Sequence, residues 1–221
     1  MMTNELPIFP LNTVLFPGMP LHLHIFESRY KLMINRLMNQ EPEFGVVLIK
    51  RGVEALGPLA EPYSIGTRAR IIKVDPLKDG CFNVTIVGEQ RFIIKSTNDE
   101  NPYLTAQVED FPIDFKRPLD VYRRIRHLRN QVHFYLHTIN KLDDMEINFD
   151  EIEMPDDPFT LIFLAASLLQ IPSHEKQPAL IAESALEICQ TVERLYRREN
   201  AVMRKLIDIT AEQAQNFALL N

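Results

Sequence analysis

Apolar and polar residues alternate along the first half of the chain, and the period lengthens to that of a helix in the second. LPIFPL (6–11) and LHLHIF (21–26) keep the two-residue period of half-buried strands. FGVVLI (44–49) is apolar throughout and bounded by Pro42 and Gly52, as a strand buried on both faces would be. TRARIIKV (67–74) and CFNVTIVG (81–88) flank DPLKDG, whose Asp79-Gly80 pair is a hairpin turn signal. QRFIIKS (90–96) and YLTAQVEDF (103–111) bring the total to about six or seven strands. One helix interrupts them over 26–39, where Phe26, Tyr30, Met33, Ile34, Leu37 and Met38 recur at three- and four-residue steps. Short strands, turn signals and one inserted helix predict a small, partly closed β-barrel.

From Pro118 onward the period is helical. Val121, Ile125, Leu128, Val132, Tyr135, Leu136, Ile139 and Leu142 trace one stripe on a long helix. Asp157-Pro158 supplies an N-cap and a first-turn proline for a second helix ending near Gln170. Ser173 is placed to cap a further turn, and Pro178 limits how far back the following helix extends. A long amphipathic C-terminal helix carries Leu186, Cys189, Val192, Leu195, Tyr196, Val202, Met203 and Leu206. The expected fold is α+β: a barrel over 1–115, then a helical bundle over 116–221, divided at DFPIDFKRP (110–118).

Composition narrows the function classes. The chain has 221 residues and a net charge of −6. Neither half, divided at residue 112, has a basic excess, which argues against a general nucleic-acid binder. Cys81 and Cys189 form no CxxC pair, so a reducing compartment is the default and each reads as a small buried hydrophobe. MMTNELPIFPLN does not resemble a signal or transit peptide. PFTLIFLAASLLQI (158–171) is shorter than the ~20 residues of a membrane span and suits a buried helix. A cytoplasmic location is expected.

Motifs for catalysis are absent. There is no G-x-S-x-G, no P-loop and no GxGxxG. His22 and His24 share a strand face and could supply two metal ligands, but no third ligand is indicated. His133 and His137 lie one helical turn apart, yet position 134 is Phe134 and the glutamate of HExxH is missing. The acidic run 143–157 contains no glycine, so it reads as a solvated loop and not a calcium loop. Neither a metal nor a cofactor is expected. Lys116, Arg117, Arg123, Arg124, Arg126 and Arg129 form a basic stretch, read as a solvated, ion-paired helix surface or, less simply, an anion surface.

LPIFPLNTVLFPGMPLHLHIFESRYKLMI resembles the start of the Lon-protease N-terminal, substrate-recognition domain. The shared pattern is L-P-x-F-P-L (Leu6 to Leu11), V-x-F-P-G ending at Gly18, and the strand-to-helix segment with Leu21, Leu23, Ile25, Phe26, Glu27, Arg29 and Tyr30. It departs at His22, where the family often has proline. FGVVLI, GTRARI (66–71), VGEQRF (87–92) and DPFTLIFLAASLLQIPSHEKQ (157–177) continue the likeness over nearly the whole chain. The resemblance implies a PUA-like barrel followed by a helical bundle. It further implies a stand-alone substrate-binding-domain protein, without the ATPase and Ser–Lys peptidase domains of full-length Lon.

The function expected from that resemblance is non-enzymatic recognition of a polypeptide, either an unfolded segment or a specific partner. An edge and a groove left by the open barrel would take an extended peptide. Glu27 and Arg29 at the strand-to-helix junction, with Arg91 from the VGEQRF turn, are the candidate contacts. Structural roles compete: Glu27 near a helix N-terminus pairing with Lys31, and Arg29 in an internal ion pair. The alternative function is RNA or nucleotide binding through the basic helix 116–129, as other PUA-like barrels perform.

Overall fold

The alternating segments of the first half fold as strands in the computed structural model, which describes residues 5–39, 41–55, 57–142 and 154–218. Among these residues the elements are β1 (Glu5–Leu11), β2 (Pro20–Ile25), α1 (Ser28–Leu37), β3 (Glu43–Arg51), β4 (Glu61–Pro62), β5 (Ile65–Pro76), β6 (Phe82–Asn98) and β7 (Thr105–Asp110). The helices α2 (Pro118–Leu142), α3 (Pro158–Leu168), α4 (Ser173–Ile181) and α5 (Ala185–Ala218) follow. Most of the acidic run, residues 143–153, lies outside the described residues.

The strands form a ring in the order β1-β7-β6-β5-β3, closed by parallel pairing of β3 with β1 from Ile8↔Gly45 to Leu11↔Leu48. β4 adds two residues to β3. β2 lies off the ring and pairs antiparallel with the first half of β6, from Pro20↔Val87 to Ile25↔Phe82. The barrel is therefore only partly closed on that side. Flanked in the ring by β1 and β5, β3 is buried from Phe44 to Leu48, as its unbroken apolar run requires. The Asp79-Gly80 hairpin forms, with Gly80 at φ 74° and the Asp79 carboxylate accepting from the Cys81 amide at 3.0 Å.

Two expected strands, 81–88 and 90–96, are one. The ladder with β5 shifts register between Thr67↔Arg91 and Ala69↔Gly88, so Glu89 and Gln90 form a bulge within β6. Gly88 marks a close approach instead of a strand end. A Cβ there would stand 2.5 Å from the Phe16 carbonyl oxygen, and its amide and carbonyl bond to Met19 and Gly18. The Phe92 ring explains two more motif glycines: a Cβ on Gly45 or Gly66 would lie 2.6 or 3.0 Å from its Cζ. FGVVLI, GTRARI and VGEQRF thus meet around one aromatic ring.

Helix α3 is the buried helix its apolar run predicts, with Leu161, Ile162, Phe163, Ala165 and Ala166 in the core. Asp157 caps it, accepting from the Thr160 amide at 2.7 Å, with Pro158 in the first turn. Pro178 sits inside α4, and α5 begins beyond it at Ala185. In the bundle, Tyr135 and Tyr196 pack edge to face at 5.3 Å, and Tyr196 donates to the Ala165 carbonyl at 2.8 Å. One apolar cluster runs from Phe9 in the barrel to Tyr196 in α5, and Phe16 stacks on Phe163 where the two parts meet.

Candidate functional site

The open flank of β2 is the most distinctive surface that the topology leaves. Alternate residues of an antiparallel strand turn their N–H and C=O groups to opposite sides. Because β2 pairs with β6 alone among the described strands, one side of it offers unpaired backbone groups. Next to that edge lies a groove of about 250 Å³ between β1 and β2. Phe9, Leu11, Ile25 and Tyr30 give it apolar walls, and Phe26, 44% exposed, stands at its rim.

Two carboxylates join this groove, Glu27 and Glu54. The extended backbone of Glu27 (φ −73°, ψ 136°) ends β2 and starts α1, and its carbonyl accepts from the Tyr30 and Lys31 amides. Its side chain makes no cap bond to the helix; it pairs with Arg29 at 2.9 Å, both being about 85% buried at the side chain. The Arg29 guanidinium lies 4.8 Å from the centre of the Tyr30 ring and donates to the Gly57 carbonyl at 3.4 Å. Glu54 accepts from the Asn12 amide at 2.7 Å, which ties Glu54 to the chain just after β1. Burial raises the Tyr30 phenol to about 12, with Arg29 opposing and Glu27 and Glu54 adding to the shift. Tyr30 therefore stays protonated and serves as an apolar wall with a polar edge.

Arg91 is not brought to this groove. It is 3% exposed and donates to the carbonyls of Leu180 at 2.7 Å, Ala182 at 2.6 Å and Pro112 at 3.1 Å. Its guanidinium also covers the Phe111 ring at 4.6 Å. Leu180 and Ala182 lie at the C-terminal end of α4, where unpaired carbonyls and the helix dipole favour a cation. Burial lowers the Arg91 pKa to about 10, still leaving it charged at neutral pH. Of the three candidate contacts, Glu27 and Arg29 share one junction, and Arg91 clamps the barrel to the helices. Glu54 was missed because a loop carboxylate has no periodic signal.

The histidines have partners on the neighbouring strand. His22 Nδ1 is 3.1 Å from Thr85 Oγ1 and His24 Nδ1 is 2.9 Å from Asn83 Oδ1, each across its own β2–β6 pair. Among the described residues, no three His, Cys, Asp or Glu side chains come together so as to hold a metal ion. Both cysteines are buried, and burial pushes the Cys189 thiol up to about 12. Arg129 holds the carbonyls of Met154 and Pro155 at 3.1 and 2.9 Å, while Arg117, Arg123 and Arg124 face α5. No helix among the described residues is long and apolar enough to cross a membrane.

Residues 5–195 match the family model of the ATP-dependent protease La (LON) substrate-binding domain. The chain is 24% identical over 227 residues to Lon protease 1 of Hydrogenovibrio crunogenus, covering 98% of this chain and 27% of that protein. It is 29% identical over 210 residues to Lon protease 2 of Herpetosiphon aurantiacus, covering 94% and 24%. The chain thus spans about a quarter of the length of these curated relatives. Among solved structures, the N-terminal domain of a Mycobacterium avium complex Lon protease superposes with a TM-score of 0.68 at 15% identity, covering 87% of this chain and 98% of that one. A Lon N-terminal domain protein from Xanthomonas campestris gives 0.57 at 22% identity, covering 86% and 96%. At such identities the likeness to solved structures speaks for the fold, and it is the family model, matched over most of the length, that decides the assignment: this chain belongs to the Lon substrate-binding domain family.

Proposed function

We propose that this chain is a non-enzymatic recognition module that takes an extended polypeptide segment along the open edge of β2. The observation that carries the reading is the coincidence of that unpaired edge with the β1–β2 groove. Backbone pairing with β2 supplies sequence-tolerant affinity, and an apolar side chain of the peptide enters the groove beside Phe26. Glu27 and Arg29 order the junction at one end of the groove. Arg91 acts from a distance by fixing β6, the strand on which β2 rests. The family description, substrate-binding, supports a role in selecting polypeptides for ATP-dependent proteolysis.

Titration of the full chain against a fluorescently labelled, permanently unfolded polypeptide, such as reduced and carboxymethylated lactalbumin, tests this. Micromolar binding is expected, with amides of β2 gaining protection from hydrogen exchange. Phe26→Asp places a charge at an exposed rim position and is expected to weaken binding by about tenfold or more without changing the melting temperature by more than a few degrees. Binding that is absent, or is unchanged in Phe26→Asp with no protection at β2, would sink the proposal.

A further inference from the structure

Helices α2 and α5 build a second concave surface with the opposite electrostatic character. They run parallel: Arg124 meets Glu193 at 2.5 Å, and Asn200 Nδ2 donates to the Gln131 carbonyl at 3.1 Å, both across a sequence separation of 69. Their buried residues, Val121, Ile125, Leu128 and Val132 on one and Cys189, Val192 and Tyr196 on the other, alternate in steps of three and four as in a coiled-coil seam. Parallel packing opens both helix N-termini at the same end, so their positive dipole ends add there.

A cleft of about 470 Å³ lies over the first turns from that end, lined by Arg117, Arg123, Arg124 and Arg197. Two of these are answered: Arg117 by Asp120 at 3.4 Å and Arg124 by the buried Glu193. Arg123 and Arg197 are exposed and have no carboxylate within ion-pair distance among the described residues. Past His127 and Arg197 the cleft runs into a hollow of about 490 Å³ that also touches Gln131, Phe134 and Asn200. Two buried amide oxygens there, Gln131 Oε1 and Asn200 Oδ1, accept no hydrogen bond among the described residues, and Asn200 is 6% exposed. Such groups favour a ligand that brings donors.

The two halves of the groove ask for different things. Arginines with free guanidinium forks select carboxylate or phosphate, and orphaned amide oxygens select N–H groups. Phosphodiester groups bring charge without donors of their own. An acidic peptide brings both, since every residue adds a backbone N–H. From Arg123 to Gln131 the α2 axis advances about 12 Å, the reach of about four extended residues. We propose that the α2–α5 groove binds an acidic polypeptide segment, with its carboxylates on Arg123 and Arg197 and its amides on Gln131 and Asn200. The net charge of −6 repels acidic peptides from the chain as a whole, so attraction at this groove comes from its local arginines. The proposal stands on a different surface from the β2 edge, and the two fail separately.

The probe is a fluorescein-labelled octapeptide of alternating glutamate and asparagine, read by anisotropy against the full chain. Saturable binding is expected, weakening with added salt. The double variant Arg123→Glu/Arg197→Glu is expected to lose at least tenfold, and Arg123→Ala/Arg197→Ala somewhat less. Phe26→Asp should leave this binding unchanged. Absence of saturable binding, an unchanged affinity in both arginine variants, or equal binding of a glutamine-for-glutamate peptide would each overturn the proposal. So would displacement of the peptide by inorganic phosphate or an oligoribonucleotide at concentrations no higher than the peptide requires, since the groove would then read charge alone.

Discussion

Nη1 of Arg91 stands 2.6 Å from the carbonyl oxygen of Ala182, and this contact joins the barrel to the end of α4. The same nitrogen reaches Leu180, and Nη2 reaches Pro112, so one side chain serves three carbonyls from two connections. Arg91→Met would leave these acceptors without their donor inside the protein. A loss of about 3 kcal/mol is expected in urea denaturation. Arg91→Lys, with a single ammonium in place of a fork, should recover only part of it.

Gly66→Ala probes the space beside Phe92. The added methyl would meet the Val46 carbonyl oxygen at 2.4 Å and Val47 Cγ1 at 2.5 Å. A backbone oxygen in the β3–β5 ladder cannot turn away as a side chain would. The variant is expected to lose about 3 kcal/mol, read as a lowered urea midpoint. An unchanged midpoint would show that the ladder yields there.

Alkaline stability should depend on Cys189. Burial raises its thiol from an ordinary value near 9 to about 12, with Glu193 adding and Arg124 opposing. Since the folded value lies above the unfolded one, this contribution is fully present below pH 9 and is lost as pH rises from 9 through 12. Cys189→Ala should cost about 1 kcal/mol at pH 7.5 through the lost sulfur. It should also flatten the decline in unfolding free energy between pH 9 and 10.5, by an amount on the order of 1 kcal/mol. Parallel declines in the two proteins would exclude the thiol as the source.

His22 and His24 make cross-strand hydrogen bonds on an exposed face. The double variant His22→Ala/His24→Ala is expected to lose less than about 1.5 kcal/mol, two ordinary exposed pairs. Neither protein should change its melting temperature when zinc is added. A zinc-dependent rise in the native chain that vanishes in the double variant would show that these rings bind metal.

Periodicity was enough to divide the chain into strands and helices, because an element with one face in a core must repeat apolar residues at its own period. LHLHIF, FGVVLI and the α3 run all fold as their patterns predict, as do the Asp79-Gly80 turn and the Asp157 cap. Local patterns misled where a residue's reason lies elsewhere in the chain. Gly88 looked like a boundary, but it exists to admit the Phe16 carbonyl, and β6 continues through a bulge beside it.

The candidate site divides along the same line. Glu27 and Arg29 are neighbours in sequence, and their junction follows from the strand-to-helix change itself. Their ion pair with each other is held beside the Tyr30 ring and the Gly57 carbonyl, which the Arg29 guanidinium also meets. Arg91 is far in sequence from Leu180 and Ala182, so nothing near it foretells its three carbonyl partners. The open edge of β2 and the α2–α5 groove likewise arise only from closure of the β1–β3 pair and parallel helix packing. Local periodicity sets which residues turn inward; contacts between distant segments decide which edges, charges and amide oxygens remain unanswered.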